Sequence, residues 1–413
     1  RMALVSETCK LHTTGTKEND VEIKEKLGAY YGVEHYLQVN AGTHGYLHNK
    51  IDYYKVGEDF FEDLLAELKN AEKFIFMEYF IIDPGKMWNA VHEILVEKAK
   101  AGVEVRVMYD DIGTLGMVKS NFYKKLQKGG INCIKFNPFR PIVSGIFNNR
   151  DHRKITVIDG KVAFTGGVNL GDEYINENHR LGHWKDTAIC VRGSAVASFT
   201  EMFLQNFDST SKLSSEYGKY FQTEFEIYDD DGYIHFFGDG PKPVYKEYIG
   251  ESNYINLINQ AEKYVYITTP YLIIDYNLAS ALRNASFRGV DVRIVTPHIP
   301  DKKLILTMTR SNYPFLMEAG VRIYEYTPGF IHAKGLIADD KVAFVGTINL
   351  DYRSLVHHFE CGAVIIDAPC IKDIKADVDK TIEVSQEITT ENFKLSGFKR
   401  LIASVINLFS PML

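Results

Sequence analysis

The sequence predicts an α/β fold made of two similar lobes, each a β-sheet flanked by helices, related by a pseudo-two-fold axis. The first observation is an internal repeat, since KVAFTGGVNL at 161–170 recurs as KVAFVGTINL at 341–350. The second is that each copy follows alternating strand and helix patterns, which are typical of a sheet covered by helices. The third is that the preceding strands also recur, AEKFIFMEYFIID at 71–83 as AEKYVYITTPYLIID at 261–275, and GVEVRVMYD at 102–110 as GVDVRIVTP at 289–297.

The elements follow one another in the same order in both halves. Helical periodicity predicts helices from Asp59 to Asn70 and from Met87 to Ala101, and their counterparts from Asn253 to Gln260 and from Leu278 to Arg288. An apolar strand follows each helix, and a third helix and strand lead to the repeat. We divide the chain into five parts: an unassigned segment 1–45, a first lobe 46–215, a linker 216–232, a second lobe 233–390 and a C-terminal amphipathic helix 391–413.

The composition indicates an ordinary globular protein with room for two domains, because 45% of its 413 residues are hydrophobic and 24% are charged. The five Cys residues have no CxxC spacing, which argues against a disulfide framework and a zinc site. We expect no metal and no cofactor. The net charge of −7 gives no overall attraction to nucleic acid, so any phosphate binding must come from local groups.

A His-x-Lys-x4-Asp pattern occurs once in each half, just before the repeat. Side chains alternate along a strand, so each His and its Lys should point to the same face. An ammonium group beside a neutral imidazole suits phosphate chemistry, because the cation neutralises phosphoryl oxygens while the imidazole attacks or transfers a proton. The two patterns comprise His152, Lys154 and Asp159, and His332, Lys334 and Asp339.

At these residues the chain resembles the phospholipase D superfamily, whose signature is this duplicated motif with a downstream Asn, and within it the bacterial cardiolipin synthases. The resemblance runs from about Tyr46 to the C-terminal end. It implies phosphatidyl transfer between two phosphatidylglycerol molecules, giving cardiolipin and glycerol. Hydrolysis of a phospholipid or of nucleic acid by the same residues is the alternative, because no motif residue decides between water and an alcohol. The similar segments include YDDIG at 109–113, NNRDHRK at 148–154, HWKDT at 183–187, NLDYRS at 349–354 and the terminal LFSPML.

The resemblance also implies how the catalytic residues share the work. His152 would attack the phosphodiester and form a phosphohistidine. His332 would protonate the departing alcohol and later take the proton of the incoming hydroxyl. Non-bridging phosphate oxygens, where charge accumulates, would be bound by four side chains: Lys154, Lys334, Asn169 and Asn349.

Other residues receive supporting roles. The motif residues Asp159 and Asp339 should point away from their histidines and be structural. A nucleophilic imidazole needs an acceptor on its other nitrogen, and Asp186 in the first half and Glu360 in the second are the candidates. Four further side chains are candidates for substrate contact: Arg150, Arg153, Tyr352 and Arg353.

The site of action is expected to be the cell membrane, with the catalytic region facing the cytoplasm and a phospholipid as substrate. No apolar run approaches the roughly 20 residues needed to span a bilayer, whereas similar cardiolipin synthases usually carry two N-terminal transmembrane helices. The loop 136–150 and the amphipathic segment 391–413 are candidates for contact with the membrane surface. Each can instead pack on the protein itself, and the sequence leaves both interpretations open.

Overall fold

The computed structural model describes residues 17–139, 149–222, 225–228 and 232–393. Most of the loop 136–150 and nearly all of the C-terminal segment 391–413 therefore lie outside the described residues. The same holds for part of the linker at 216–232.

The N-terminal segment, unassigned from the sequence, packs on the second lobe. It forms helix α1 (Lys17–Leu27), helix α2 (Tyr31–Ala41) and strand β1 (Gly45–Leu47). Strand β1 pairs with a second-lobe strand that begins at Tyr233. Buried Glu34 of α2 fixes this arrangement, because its carboxylate is hydrogen-bonded to Tyr233 and His235 of that strand. The structure thus differs from the predicted division at residue 46, because the sheet of the first lobe begins only after residue 47.

The first lobe has a seven-stranded mixed sheet. Its helix α3 shows why helices form here, since Phe60, Leu64 and Leu68 recur every four residues and are all buried. The strands of this half are β2 (Lys50–Tyr54), β3 (Phe74–Tyr79), β4 (Glu104–Asp110), β5 (Asn132–Phe136), β6 (Ile155–Ile158), β7 (Val162–Gly166), β8 (His183–Lys185) and β9 (Ala188–Arg192). The helices are α3 (Gly57–Asn70), α4 (Lys86–Lys100), α5 (Phe122–Lys128) and α6 (Val196–Ser211).

The second lobe has a nine-stranded sheet that includes β1. The strands of this half are β10 (Tyr233–Asp239), β11 (Tyr264–Thr268), β12 (Leu272–Ile273), β13 (Asp291–Pro297), β14 (Arg322–Tyr326), β15 (Gly329–Ile331), β16 (Gly335–Ala338), β17 (Val342–Gly346), β18 (Leu350–Asp351), β19 (Glu360–Ile366) and β20 (Ser385–Ile388), of which β12, β15 and β18 lie outside the nine-stranded sheet. Its helices are α7 (Ile249–Gln260), α8 (Tyr276–Phe287), α9 (Lys303–Ser311), α10 (Tyr313–Met317) and α11 (Cys370–Glu383).

The strand orders confirm two lobes of one architecture. The first sheet runs β2-β9-β7-β6-β3-β4-β5, and the second contains β19-β17-β16-β11-β13-β14 in the corresponding order. In both, three parallel strands joined by helices meet an antiparallel motif strand, β6 or β16, at the centre. The motif strand therefore lies in the middle of each sheet, where it is buried on both faces.

The two lobes are joined by a shared core and by backbone pairing. Helix α6 packs on both sheets, since Phe203 stacks on Phe76 of the first lobe and Phe199 stacks on Phe236 of the second. Strand β8 pairs in parallel with β15 across the interface. A matching bridge joins Asp151 to Phe359. These pairings place each motif segment against the opposite lobe.

Candidate active site

The two motif lysines and the two motif histidines are buried just before the central strands β6 and β16. His152 and Lys154 precede β6, and His332 and Lys334 precede β16, in extended backbone rather than within the strands. Nζ of Lys154 donates to the backbone carbonyl oxygen of His152 at 2.5 Å, and its charge contributes to the lowered pKa of His152, so the lysine lies close to its histidine. Lys334 makes the same bond to the carbonyl of His332. The pattern therefore builds two half-sites with the same histidine–lysine arrangement.

The motif aspartates lie away from the histidines and close a turn. Asp159 and Asp339 follow their strands with positive φ angles of 55° and 58°. Asp159 accepts hydrogen bonds from three successive backbone N–H groups at 72–74, and Asp339 from those at 262–264, all between 2.7 and 2.9 Å. Both carboxylates tie the turn after the motif strand to the start of the adjacent strand. Their contacts therefore agree with a structural role rather than a catalytic one.

The carboxylates that orient the histidines come from the opposite lobe. Nδ1 of His152 lies 2.9 Å from Oε1 of Glu360, and Nδ1 of His332 lies 2.6 Å from Oδ2 of Asp186. Both candidates named from the sequence therefore lie at the histidines. The pairing is crossed, because the bridge from Asp151 to Phe359 and the pairing of β8 with β15 carry each acid across the interface.

The pKa values favour neutral imidazoles and ionised carboxylates. Burial lowers the pKa of His152 to about 3 and that of His332 to about 4, and the motif lysines act in the same direction. Burial opposes ionisation of Glu360 and Asp186, but charge and hydrogen bonding from the histidines outweigh it, so their pKa values lie below the ordinary range. A neutral imidazole beside a carboxylate carries its proton on Nδ1, which leaves the Nε2 lone pair free.

Both half-sites face the same space. The Lys154 ammonium of the first lobe contributes to the lowered pKa of His332 and of Lys334 in the second. The ring of Tyr174 lies 5.6 Å from that of His332, and Nδ2 of Asn169 donates to the Tyr174 hydroxyl at 2.7 Å. Side chains of the first lobe therefore reach the second-lobe histidine directly.

The two motif lysines change their protonation, and therefore their charge, at pH values near neutrality. Burial lowers the pKa of Lys154 to about 8 and that of Lys334 to about 7. Two buried cations with no bulk water need a stable anionic partner. Asn349 is buried as well, and the N–H groups of its side-chain amide can donate hydrogen bonds to an anion. The centre is thus a buried site suited to an anion that brings its own oxygens.

One site residue, His358, was not singled out by the sequence. Its ring lies 5.6 Å from that of His152, and its Nδ1 lies 3.7 Å from Oε1 of Glu360. Neither ring nitrogen has a hydrogen-bond partner within the described residues. His358 lacks the repeat context of the motif histidines, so only its distance of two residues from Glu360 pointed to the site. His152, His358 and Glu360 also place one possible metal-ligand atom each within 4.8 Å of one another.

Two of the four arginine and tyrosine candidates do not face the site. Arg150 forms a bidentate pair with Asp110, including a 2.8 Å contact from Nη2. Arg153 lies on the opposite side of the motif segment, where its Nε is 2.9 Å from Glu78. Both arginines are buried, so their charges stabilise the segment that carries His152. The prediction that they contact substrate is not supported.

The other two candidates, Tyr352 and Arg353, line a groove of about 120 Å³ beside Asn349. Strand β18 holds this segment, because Leu350 pairs with Leu272 immediately after Asn349. Their predicted contact with a substrate headgroup therefore stays a prediction with a suitable position.

Comparisons with known proteins agree with this geometry. A family model described as "Cardiolipin synthase, PLD-like domain" matches residues 64–206 and 254–382. An uncharacterized protein of Streptococcus mutans is 47% identical over 95% of this chain and 85% of its own length. The cardiolipin synthase of Alkalihalophilus pseudofirmus is 36% identical over 86% of this chain and 71% of its own length.

The fold has a solved counterpart in the phosphatidylserine synthase of Haemophilus influenzae, with a TM-score of 0.66 at 14% identity, covering 92% of this chain and 98% of that one. Within the described residues, no helix has the length and apolar character that a bilayer span requires. The family match covers both lobes, and each matched segment contains one histidine–lysine pair and one orienting carboxylate. The chain therefore belongs to the cardiolipin synthase family of phospholipase D-like enzymes.

Proposed function

We propose that this enzyme transfers a phosphatidyl group from one phosphatidylglycerol molecule to another, which yields cardiolipin and glycerol through a phosphohistidine intermediate. The single observation that supports the chemistry best is the pair of neutral imidazoles, each held by a carboxylate of the opposite lobe and both beside buried lysines. The relatives named cardiolipin synthase support the choice of substrate.

In the first step, Nε2 of His152 attacks the phosphorus of the donor lipid. The new N–P bond forms as the P–O bond to the glycerol breaks, and His332 gives its proton to the departing oxygen. The anionic phosphodiester between the half-sites favours the imidazolium form of His332 that this step requires. Glu360 stabilises the positive charge that develops on His152.

In the second step, His332 removes the proton from the hydroxyl of the second lipid. Its oxygen attacks the phosphohistidine, the O–P bond forms, the N–P bond breaks and His152 is restored. Lys154 and Lys334 neutralise the charge on the non-bridging oxygens in both transition states, assisted by the amides of Asn169 and Asn349. The enzyme would act at the cytoplasmic face of the cell membrane, where its lipid substrates lie.

Hydrolysis is the second candidate, because water can replace the lipid hydroxyl in the second step without any other change. Incubation of the purified enzyme with phosphatidylglycerol in mixed micelles, followed by lipid analysis, distinguishes the two. We expect cardiolipin and free glycerol in equal amounts. Phosphatidic acid without cardiolipin would contradict transfer and support a phospholipase activity.

The assignment of the nucleophile is tested by trapping the intermediate. With phosphate-labelled lipid, His332→Ala protein should acquire acid-labile, base-stable label slowly, because the first step loses its general acid, and should then retain it, because the second step needs His332 as a base. His152→Ala protein should take up none. Label on the His152 variant and none on the His332 variant would exchange the two roles.

A further inference from the structure

A groove in the second lobe opens beside the catalytic centre. Its volume is about 120 Å³, and its lining combines apolar, aromatic and charged side chains. Asn349 lies two residues before the lining residue Asp351, so the groove begins next to the phosphate-binding amide. The residues that line it are Tyr271, Ile273, Lys302, Ile305, Met308, Asp351, Tyr352 and Arg353.

Two cations at this groove lack anionic partners. The Lys302 ammonium and the Arg353 guanidinium are exposed, and neither has an ion pair or side-chain hydrogen bond within residues 17–139, 149–222, 225–228 and 232–393. Two acids beside these cations are already engaged. Asp351 accepts the backbone N–H of Ser354 at 3.0 Å, and Asp301 accepts the hydroxyl of Tyr271 at 2.6 Å. The two cations are therefore available to an anionic ligand.

The groove is coupled to both histidines through its lining residues. Asp351 interacts electrostatically with His358 and Glu360, which lie at His152. Tyr271 lies close enough to Tyr174 for their charges to interact, and Tyr174 packs on His332. A ligand in the groove would thus lie beside the reacting phosphorus without occupying its place, since that phosphorus is served by Lys154 and Lys334.

The corresponding region of the first lobe has the opposite charge. The repeat aligns Asn169 with Asn349, which places Asp172 and Glu173 at the positions of Tyr352 and Arg353. Asp172 and Glu173 add to burial in raising the pKa of neighbouring Asp83, which marks an acidic surface. Among the described residues, the second-lobe side of the centre is therefore better suited to an additional anion than this part of the first lobe.

We propose that this groove binds the phosphoglycerol headgroup of the acceptor lipid, with Lys302 and Arg353 contacting its phosphate and the apolar lining side chains contacting its glycerol carbons. The inference rests on the proposed function and deepens it, because it names the group that distinguishes the acceptor. A second phosphate needs a second set of cations. The acceptor is the substrate that brings that phosphate, so an anionic phospholipid would be preferred over a neutral alcohol.

A competition between two acceptors tests this proposal. The enzyme receives phosphatidylglycerol together with excess 1-butanol, and the ratio of cardiolipin to phosphatidylbutanol is measured. For Arg353→Gln and Lys302→Gln we expect this ratio to fall by about tenfold, because a charge-assisted contact to phosphate is lost. Arg353→Lys should recover part of the ratio. Lys303→Gln, which removes an exposed neighbouring charge that does not line the groove, should leave the ratio at the wild-type value.

The outcomes separate this proposal from the proposed function. An unchanged ratio in the Arg353 and Lys302 variants, including a parallel loss of both products, would overturn the acceptor assignment while leaving transfer in place. Wild-type enzyme that forms phosphatidic acid but neither transfer product would overturn the proposed function and this inference together.

Discussion

Around the individual histidines, the two half-sites are not chemically equivalent. The indole of Trp184 lies 5.3 Å from the ring of His332, and the imidazole of His358 lies 5.6 Å from the ring of His152. Trp184 and His358 each precede the orienting carboxylate by two residues. The side of His152 is therefore richer in proton-carrying groups, whereas His332 is enclosed by aromatic rings.

The carboxylates are also held differently. Thr347 donates its hydroxyl to Oε2 of Glu360 at 2.5 Å. The repeat aligns Thr347 with Gly167, and a Cβ at Gly167 would collide with the carboxylate of Asp186. Glycine at this position thus makes room for the shorter acid. These differences give the two histidines distinct surroundings, as their distinct proposed roles require.

Alkaline pH should weaken catalysis through the lysines. Their pKa values of about 8 and about 7 lie below the ordinary value for lysine, so the ammonium groups lose their protons as pH rises through this range. We expect kcat/KM to fall above about pH 7, where Lys334 loses its proton first, whereas protonation of the free His152 would limit it only near pH 3. Lys334→Arg should move the alkaline limb upward to about pH 8, where Lys154 loses its proton, because arginine stays protonated.

A profile of kcat/KM against pH measures this effect. Lys161→Arg, which changes an exposed lysine just after the motif strand, is the matched control and should keep the wild-type limb. An alkaline limb that stays in place in Lys334→Arg would indicate that another group sets it.

Chelation should leave activity intact, because lysine and asparagine side chains can balance the charge of the phosphate. The enzyme is dialysed against a strong chelator and assayed for cardiolipin formation. Loss of activity that returns with added zinc would instead assign a metal to the cluster of His152, His358 and Glu360.

Among the secondary-structure elements, the turns after β6 and β16 depend on the motif aspartates. Asp159→Ala would leave three backbone N–H groups without their acceptor, and we expect the free energy of unfolding to fall by about 2–4 kcal/mol. Asp339→Ala should have a similar effect, since its contacts are the same. Thermal unfolding measures the loss, and the specific activity of the folded protein at low temperature should stay near that of the wild type.

The reverse pattern would contradict this prediction. Asp159→Ala protein with wild-type stability and no activity would place the carboxylate in the chemistry rather than in the turn. Lys161→Ala, at an exposed position two residues further along, controls for a general sensitivity of this turn.

Much of each lobe was predictable because its elements repeat. The helices and strands before each motif lie within a few residues of their predicted bounds, since the apolar periodicity that defines them also forms the core. The closeness of Lys154 to His152 was expected from their spacing, and the Lys154 charge acts on His152. The contact of His358 with His152 was not predictable, because the sequence does not show which residues of the opposite lobe lie against it.

At the scale of the whole molecule, the decisive feature is that each lobe supplies the carboxylate that contacts the catalytic histidine of the other lobe. Sequence spacing placed Asp186 with the first half and Glu360 with the second, but only the interface shows that each serves the other half's histidine. The packing of residues 17–47 on the second lobe could not be predicted from the sequence either. Strand β1 pairs with residues Tyr233–His235, which lie nearly 190 residues further along the chain.

This crossed arrangement predicts that a change at Glu360 in the second lobe affects the reaction of His152 in the first. Glu360→Gln should lower kcat by about 10²–10⁴-fold with a smaller change in KM, because the amide no longer stabilises the charge on His152 or fixes its tautomer. Quench-flow measurement of phosphohistidine formation should locate the defect in the first step. Asp186→Asn is the matched variant for the other histidine. A Glu360→Gln enzyme with normal formation of the intermediate would exclude Glu360 as the partner of the nucleophile.

The crossed hydrogen bonds have the contact pattern of an isologous homodimer, in which residue i of one copy meets residue j of the other and the reverse. One half of the chain, separated from the other, would therefore form a complete catalytic centre only by self-association. When the two copies are joined in one chain, assembly of the site no longer depends on the protein concentration. The sequences of the two copies can then differ. Substitutions such as tryptophan opposite histidine, or arginine opposite glutamate, could then accumulate on one side alone.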